Sequence, residues 1–259
     1  MVKRILWKDI RQTLSGSMGR FISIVCLMAL GSFALVGLKV AGPDMQATGA
    51  EFYGNNNLAD VTVVSTYGLS EDDEKVIGEA DDIRDIEYGY FKDVVIKGTN
   101  SSMRVFSKPE RISTYDVVEG RMPKQQGEIV LDLNQRSKFA VGSTLDVTEK
   151  ADISGGTVLR HHRFEVVGFV RASEIVSGMN MGQSTSGSGT LASYAVAMTS
   201  EFDSETTMIA RIVYNDTRDL DYWTNDYRDR VQDHKNQLVE LLAGQPEARK
   251  ESIREQQQE

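Results

Sequence analysis

Phe21-Ile22-Ser23-Ile24-Val25-Cys26-Leu27-Met28-Ala29-Leu30-Gly31-Ser32-Phe33-Ala34-Leu35-Val36-Gly37-Leu38 is a run without a single charge. At 1.5 Å per residue, roughly 18 helical residues span ~27 Å, close to one hydrocarbon core. The run predicts a transmembrane helix over 21–40, and everything else about the chain is organised around it. Before it, Lys3, Arg4, Lys8, Arg11 and Arg20 face only Asp9, so residues 1–20 carry +4. The whole chain carries −9, which leaves −13 for the remainder. Only Lys39 follows closely before Gly42-Pro43-Asp44. The positive-inside rule then puts the N-terminus in the cytoplasm and the acidic body outside, a single-pass arrangement at a bacterial cell membrane. A cleaved signal peptide is the rival. Its positively charged region is unusually long here, and the small-residue sites at Val40-Ala41-Gly42 and Ala47-Thr48-Gly49 are poorly placed. The expectation is a retained anchor.

Ahead of the span, Leu6, Ile10 and Leu14 recur at every fourth residue with Trp7 beside them, while Arg11 and the lysines remain available to lipid headgroups. Residues 1–20 are therefore expected to form a basic amphipathic helix lying in the inner interface.

Residues 44–220 form the outer domain. Ala59–Ser65, Ile83–Lys97, Ser102–Ser107, Tyr115–Gly120, Gly127–Leu131, Val141–Val147, Phe164–Arg171, Tyr194–Met198 and Met208–Tyr214 read as strands or strand-like stretches. One helix opens at Ser70-Glu71-Asp72-Asp73, where Ser70 caps and the acids favour the positive end. The fold class is α+β, with a mixed or antiparallel sheet. Residues 179–190, rich in Gly, Ser and Thr, are expected to be a mobile loop. From residue 221 to 259 the character becomes helical. Tyr227, Val231, His234, Leu238 and Leu241 fall at heptad spacing, the expected start of a coiled-coil arm.

The one cysteine, Cys26, lies within the apolar run, so the outer domain must fold without disulfides. There is no P-loop, and Gly187-x-Gly189-x-x-Ala192 leads toward a strand, the wrong context for a dinucleotide. His161 and His162 are adjacent, so on a strand they face opposite ways and do not share a metal. No catalytic, cofactor-binding or metal-ligating set is singled out, and no enzyme activity or cofactor is expected. The acidic exterior argues against nucleic acid as a partner.

Several stretches in order resemble the FtsX-like permease family, whose outer portion is related to the MacB periplasmic core. They are Leu6-Trp7-Lys8-Asp9-Ile10-Arg11, Gly19-Arg20-Phe21, Gly42-Pro43-Asp44-Met45, Leu58-Ala59-Asp60 and Val63-Val64-Ser65-Thr66-Tyr67-Gly68-Leu69. Val118-Glu119-Gly120-Arg121-Met122-Pro123, Gly127-Glu128-Ile129, Phe164–Val170 and Gly244-Gln245-Pro246-Glu247-Ala248-Arg249 complete the set. The resemblance implies a permease subunit of an ABC transporter or mechanotransmission complex, driven by a separate cytoplasmic ATPase. Its partners would be that ATPase, the lipid membrane, and the remaining permease segments or a second permease copy. Leu6, Trp7, Ile10, Arg11 and Leu14 would then contact the ATPase or the membrane interface. Family members have at least four transmembrane helices, so the resemblance implies the N-terminal piece of a longer permease or a truncated product. The alternative reading is a stand-alone, membrane-anchored extracellular module that binds a partner.

Overall fold

A computed structural model describes residue 7 and residues 16–150, 157–175, 178 and 181–244. Two compact units are present, residues 1–51 and 52–259.

The apolar run lies in a helix, α1, spanning Met18–Asn55, none of whose residues is buried. Leu27, Phe33 and Leu38 stand about four-fifths exposed. The helix is long and apolar enough to cross a membrane. The Ser23 hydroxyl donates back to the Gly19 carbonyl at 2.8 Å, so this polar group in the apolar stretch has a partner within the helix. Helical structure continues past residue 40 with Pro43 inside it. Proline cannot donate to the carbonyl four residues earlier, and here that residue, Lys39, lies just beyond the apolar run, where water can serve the carbonyl. The helix ends where Asn57 takes a left-handed conformation (φ 46°). There the Leu58 amide donates to the Tyr53 carbonyl at 3.0 Å and the Asn57 amide to Gly54 at 3.1 Å. Asparagine tolerates that backbone and closes the helix.

The second unit is α+β. Strands β1 (Val61–Leu69), β10 (Thr207–Tyr214) and β2 (Ile83–Gly89) form a three-stranded antiparallel sheet in the order β1-β10-β2. Helices α2 (Glu71–Gly78) and α3 (Asn225–Leu242) cover one face. Alternation along β10 puts Ala210, Ile212 and Tyr214 against Ile77 of α2 and Leu238 of α3. As the sequence suggests, Ser70 caps α2: its hydroxyl accepts from the Asp73 amide while Asp73 accepts from the Ser70 amide, a reciprocal capping box.

The remaining strands are β3 (Phe91–Ile96), β4 (Ser102–Ser107), β5 (Tyr115–Gly120), β6 (Glu128–Asp132), β7 (Thr144–Glu149), β8 (Arg163–Ala172) and β9 (Leu191–Ala197). They form the order β5-β8-β6-β9-β4-β3-β7, and β7 pairs again with β8. Six strands therefore close into a barrel, with parallel pairs β4–β9 and β6–β8 among antiparallel ones. Residues 163–165 of β8 pair with β7, and residues 168–172 of the same strand pair with β5. Val94, Met103, Ile129, Leu131, Leu145, Phe164, Val166 and Ala195 belong to one buried cluster drawn from all six closing strands. A second, separate cluster, with Phe91, Phe106, Val130, Val170, Tyr194 and Ile209, lies on the other face of the barrel strands and packs the small sheet against them.

The stretch 83–97, which reads as one strand-like segment, is divided between the two sheets at Gly89-Tyr90. A Cβ on Gly89 would meet the Ser107 hydroxyl at 2.8 Å, so glycine allows β4 to approach. Ser107 then holds the corner, its hydroxyl accepting from the Tyr90 amide and its amide donating to the Tyr90 carbonyl, both at 2.9 Å.

Residues 181–190, expected to be a mobile loop, are tied by hydrogen bonds to β3 and β4; residues 179 and 180 lie outside the described residues. Buried Asp93 accepts from the Thr185 amide at 3.0 Å and from the Arg104 guanidinium at 2.6 and 3.0 Å. Arg104 also donates to the Gln183 carbonyl, and the Ser102 hydroxyl donates to the Ser186 carbonyl at 2.6 Å. Gly and Ser composition supplies the tight backbone here, and a charged strand pair fixes it. The loop runs into β9, as its sequence context indicates.

Candidate functional site: the joint between small sheet and last helix

Asp60 immediately precedes β1, where the chain comes into the domain from α1. One of its carboxylate oxygens accepts from the Tyr214 amide at 2.9 Å and the Thr217 hydroxyl at 2.7 Å. The other accepts from the Tyr227 hydroxyl at 2.7 Å. Tyr214 ends β10 and Tyr227 lies in the first turns of α3. A single carboxylate thus ties the incoming connection to the outgoing one. Burial, followed by the Asp60 charge, drives the Tyr227 phenol far above its ordinary value, so it stays a hydrogen-bond donor. Aromatic rings surround the joint: Tyr53 meets Tyr222 and Trp223 at 5.6 and 6.0 Å, and Tyr222 meets Tyr227 edge-on at 5.1 Å.

Helix α3 lies on this joint by the same residues that suggest a heptad seam. Tyr227, Val231 and His234 are half-buried and Leu238 is 2% exposed. The inward set continues at Leu242, which packs with the small-sheet cluster, whereas Leu241 points to solvent. The spacing is that of a straight helix on a sheet rather than the 3.5-residue repeat of a supercoil. Over Asn225–Leu242 the expected coiled-coil seam is instead a docking face used within the domain. Residues 245–259, the rest of the expected arm, lie outside the described residues.

His234 stacks face to face on Tyr214, 3.7 Å between ring centres and 6° between planes. Its Nε2 lies 2.8 Å from an Asp216 oxygen. Beside α3 and β1 an open groove of about 550 Å³ is lined by Val61, Val63, Val231, Lys235 and Val239.

Elsewhere, the quoted motifs resolve into structural contacts. Arg121 makes a two-pronged pair with Glu128, which also accepts from the Lys124 amide at 2.8 Å. Bonds from the Arg121 guanidinium hold the Glu128 carboxyl down at about 2. Gly120, at φ +77°, lies against the Val167 carbonyl, and a Cβ on Gly168 would sit 2.6 Å from the Glu119 carbonyl. These two glycines let β5 and β8 cross at a bulge. His161 and His162 do face apart: His161 Nδ1 lies 2.8 Å from buried Glu201, and His162 Nε2 lies 3.4 Å from buried Glu149. Neither glutamate stands out in the sequence, because the groups it serves are remote. Glu149 accepts from the Val158 and Leu159 amides, and Glu201 from the Gly127 amide.

Of the residues expected at an ATPase or membrane interface, Leu6, Ile10, Arg11 and Leu14 lie outside the described residues. Trp7 is helical and three-quarters exposed. Asp60, Tyr214 and Tyr227 carry no functional signature in the sequence; Asp60 lies in the Leu58-Ala59-Asp60 stretch, but the phenol it accepts from is remote in sequence.

No family model matches the chain, and no curated protein sequence does. Among solved structures, the chain is similar to the extracellular domain of noncanonic ABC-type transporter YknZ from Gram-positive bacteria. That similarity has 10% identity, covers 73% of this chain and 95% of the other, and has a TM-score of 0.38. It is also similar to the periplasmic region of MacB from Actinobacillus actinomycetemcomitans, at 12% identity, 70% and 74% coverage and a TM-score of 0.33.

Proposed function

We propose that this chain is the front part of a permease subunit of an ABC-type transporter or mechanotransmission complex. Residues 1–20 lie on the cytoplasmic face, α1 anchors the chain, and residues 44–220 form the outer domain that receives movement from the membrane. The observation that supports this most directly is the Asp60 joint. A domain inserted between membrane-linked segments must gather its incoming and outgoing connections, and here one carboxylate holds both. The ordered motifs and the charge change across the apolar run support the same reading. The separate ATPase, the lipid membrane and the remaining permease segments or a second copy are the partners in this scheme. Leu6, Trp7, Ile10, Arg11 and Leu14 form the contact face.

Co-purification from membranes with a P-loop ATPase tests the assignment. The full chain is expected to retain the ATPase, and Trp7→Ala combined with Leu14→Ala to lose most of it. Retention unchanged in the double variant would move the contact elsewhere. No retained ATPase, together with a wall component or peptide bound by residues 44–259, would favour the stand-alone anchored module.

A further inference from the structure

Three side chains at the edge of the joint have a use that hydrogen bonding alone does not exhaust. Asp82 lies in the turn from α2 into β2, Asp216 follows β10, and His234 lies on α3. One ligand atom from each falls within 4.8 Å of the others. The three are separate in sequence, so adjacency alone does not bring them together.

Each is held in place. Asp82 adopts a left-handed backbone at φ 61°. Its carboxylate accepts from the Asp216 amide at 3.0 Å and from the Asn215 side-chain amide at 3.4 Å. The His234 ring is fixed by its stack on Tyr214 and presents Nε2 to Asp216. Such fixed, convergent donors resemble a preorganised ligand set more than two freely rotating surface acids.

Charge points the same way. Two carboxylates this close repel one another. Arg230, at 3.5 Å from Asp216 and 60% exposed, is a loose partner, and among the described residues no lysine or arginine pairs with Asp82. Tyr214 adds an independent sign. Its side chain is fully buried, and its hydroxyl has no hydrogen-bond partner among the described residues. A buried hydroxyl without a partner, on the ring against which His234 stacks, leaves polar capacity unmet next to the ligand imidazole.

We propose that Asp82, Asp216 and His234 bind one divalent transition-metal ion of the zinc class, which fastens α3 to the small sheet. One imidazole nitrogen and two carboxylate oxygens suit such an ion. Bond lengths near 2.0–2.2 Å put ligand atoms roughly 3.3 Å apart in a tetrahedron. The 2.8 Å between His234 and Asp216 and the outer limit of 4.8 Å bracket that value. Exposure of Asp82 leaves a fourth position for water. Because the ligands come from the turn before β2, the loop after β10, and α3, the ion would oppose undocking of the helix. This inference does not depend on the permease assignment.

The test uses the full chain in detergent micelles, without a polyhistidine tag and stripped by chelator, titrated with Zn²⁺ against a competing indicator. One equivalent is expected, with affinity reduced at least tenfold in Asp82→Asn and in His234→Gln and unchanged in Asp72→Asn. Hydrogen exchange on the unmodified chain gives a second readout that needs no variant. Zn²⁺ is expected to slow exchange across Asn225–Leu242. Failure to bind beyond the Asp82→Asn level, binding that survives both ligand variants, or protection only elsewhere would each overturn the proposal.

Discussion

Gly120 and Gly168 face each other across the β5–β8 crossing, and each is closed to a side chain for a different reason. Gly120 has a positive φ and a backbone carbonyl against it; Gly168 has an ordinary φ but lies between Glu119 and Arg121. Gly98 and Gly142 share the positive φ with open space around them. Alanine at Gly98 or Gly142 is therefore expected to cost about 1–2 kcal/mol, the backbone contribution alone. At Gly120 the added clash raises the expected cost to about 2–4 kcal/mol. Urea unfolding of the three variants checks the ordering; equal losses at Gly98 and Gly120 would contradict the crossing. Glu128 makes a pH-dependent prediction. Its folded-state value of about 2 lies below the ordinary carboxylate range. Its contribution is thus complete above the unfolded value and disappears as pH falls toward 2. Glu128→Gln is expected to be clearly less stable than the native chain at pH 6, with the difference narrowing between pH 4 and 2. Thermal midpoints across that range read it out, and a pH-independent difference would sink it.

Helix α3 is the element whose sequence pattern and structural use diverge. From Tyr227 to Leu238 the 4-3-4 spacing is common to a heptad seam and a sheet-packed helix, so the pattern could not choose between them. The next step decides: Leu242 turns inward and Leu241 outward. Leu238→Ala is accordingly expected to cost about 2–4 kcal/mol, whereas Leu241→Ala should stay within about 0.5 kcal/mol. A supercoil seam would make the two similar. Tyr227→Phe leaves one Asp60 oxygen without its donor and is expected to cost about 1–2 kcal/mol. Hydrogen exchange should rise along α3 while β3, β4 and β9 remain protected. Strand positions were legible, since runs such as Ser102–Ser107 and Phe164–Arg171 are β-branched or alternate. The break at Tyr90 was not, because its cause is Ser107 on another strand. The Asp60 joint was half legible: the motif carries the acid, but Tyr227 lies 167 residues away.

Across the whole molecule, the apolar run states its role most openly. Leu30 sits in mid-span and is 72% exposed. On a water-facing surface, lysine there would matter little. In a bilayer centre it is expected to cost about 2.5–3.5 kcal/mol of insertion. Leu30→Lys should therefore shift chain from the membrane pellet to the soluble or degraded fraction, and unchanged partitioning after carbonate extraction would count against the anchor. Barrel closure, by contrast, was hidden from the sequence. Nothing local in Thr144–Glu149 announces that it pairs with both β3 and β8; only the assembled ring of strands does.

The small sheet is completed by partners at opposite ends of the outer unit: Val61 pairs with Ile212. A chain made from its N-terminus therefore displays β1 long before β10 exists, roughly 150 residues later, or some ten to thirty seconds at ordinary synthesis rates. During that interval β1 offers a β-branched strand with no native partner, the kind of edge that invites pairing with another molecule. Barrel strands β3–β9 lie between the two and can associate meanwhile, so the barrel is expected to assemble first and the small sheet last. A nascent chain halted before residue 207 would present a formed barrel trailing an orphan strand, and holdase binding there is the expected mark of its immaturity.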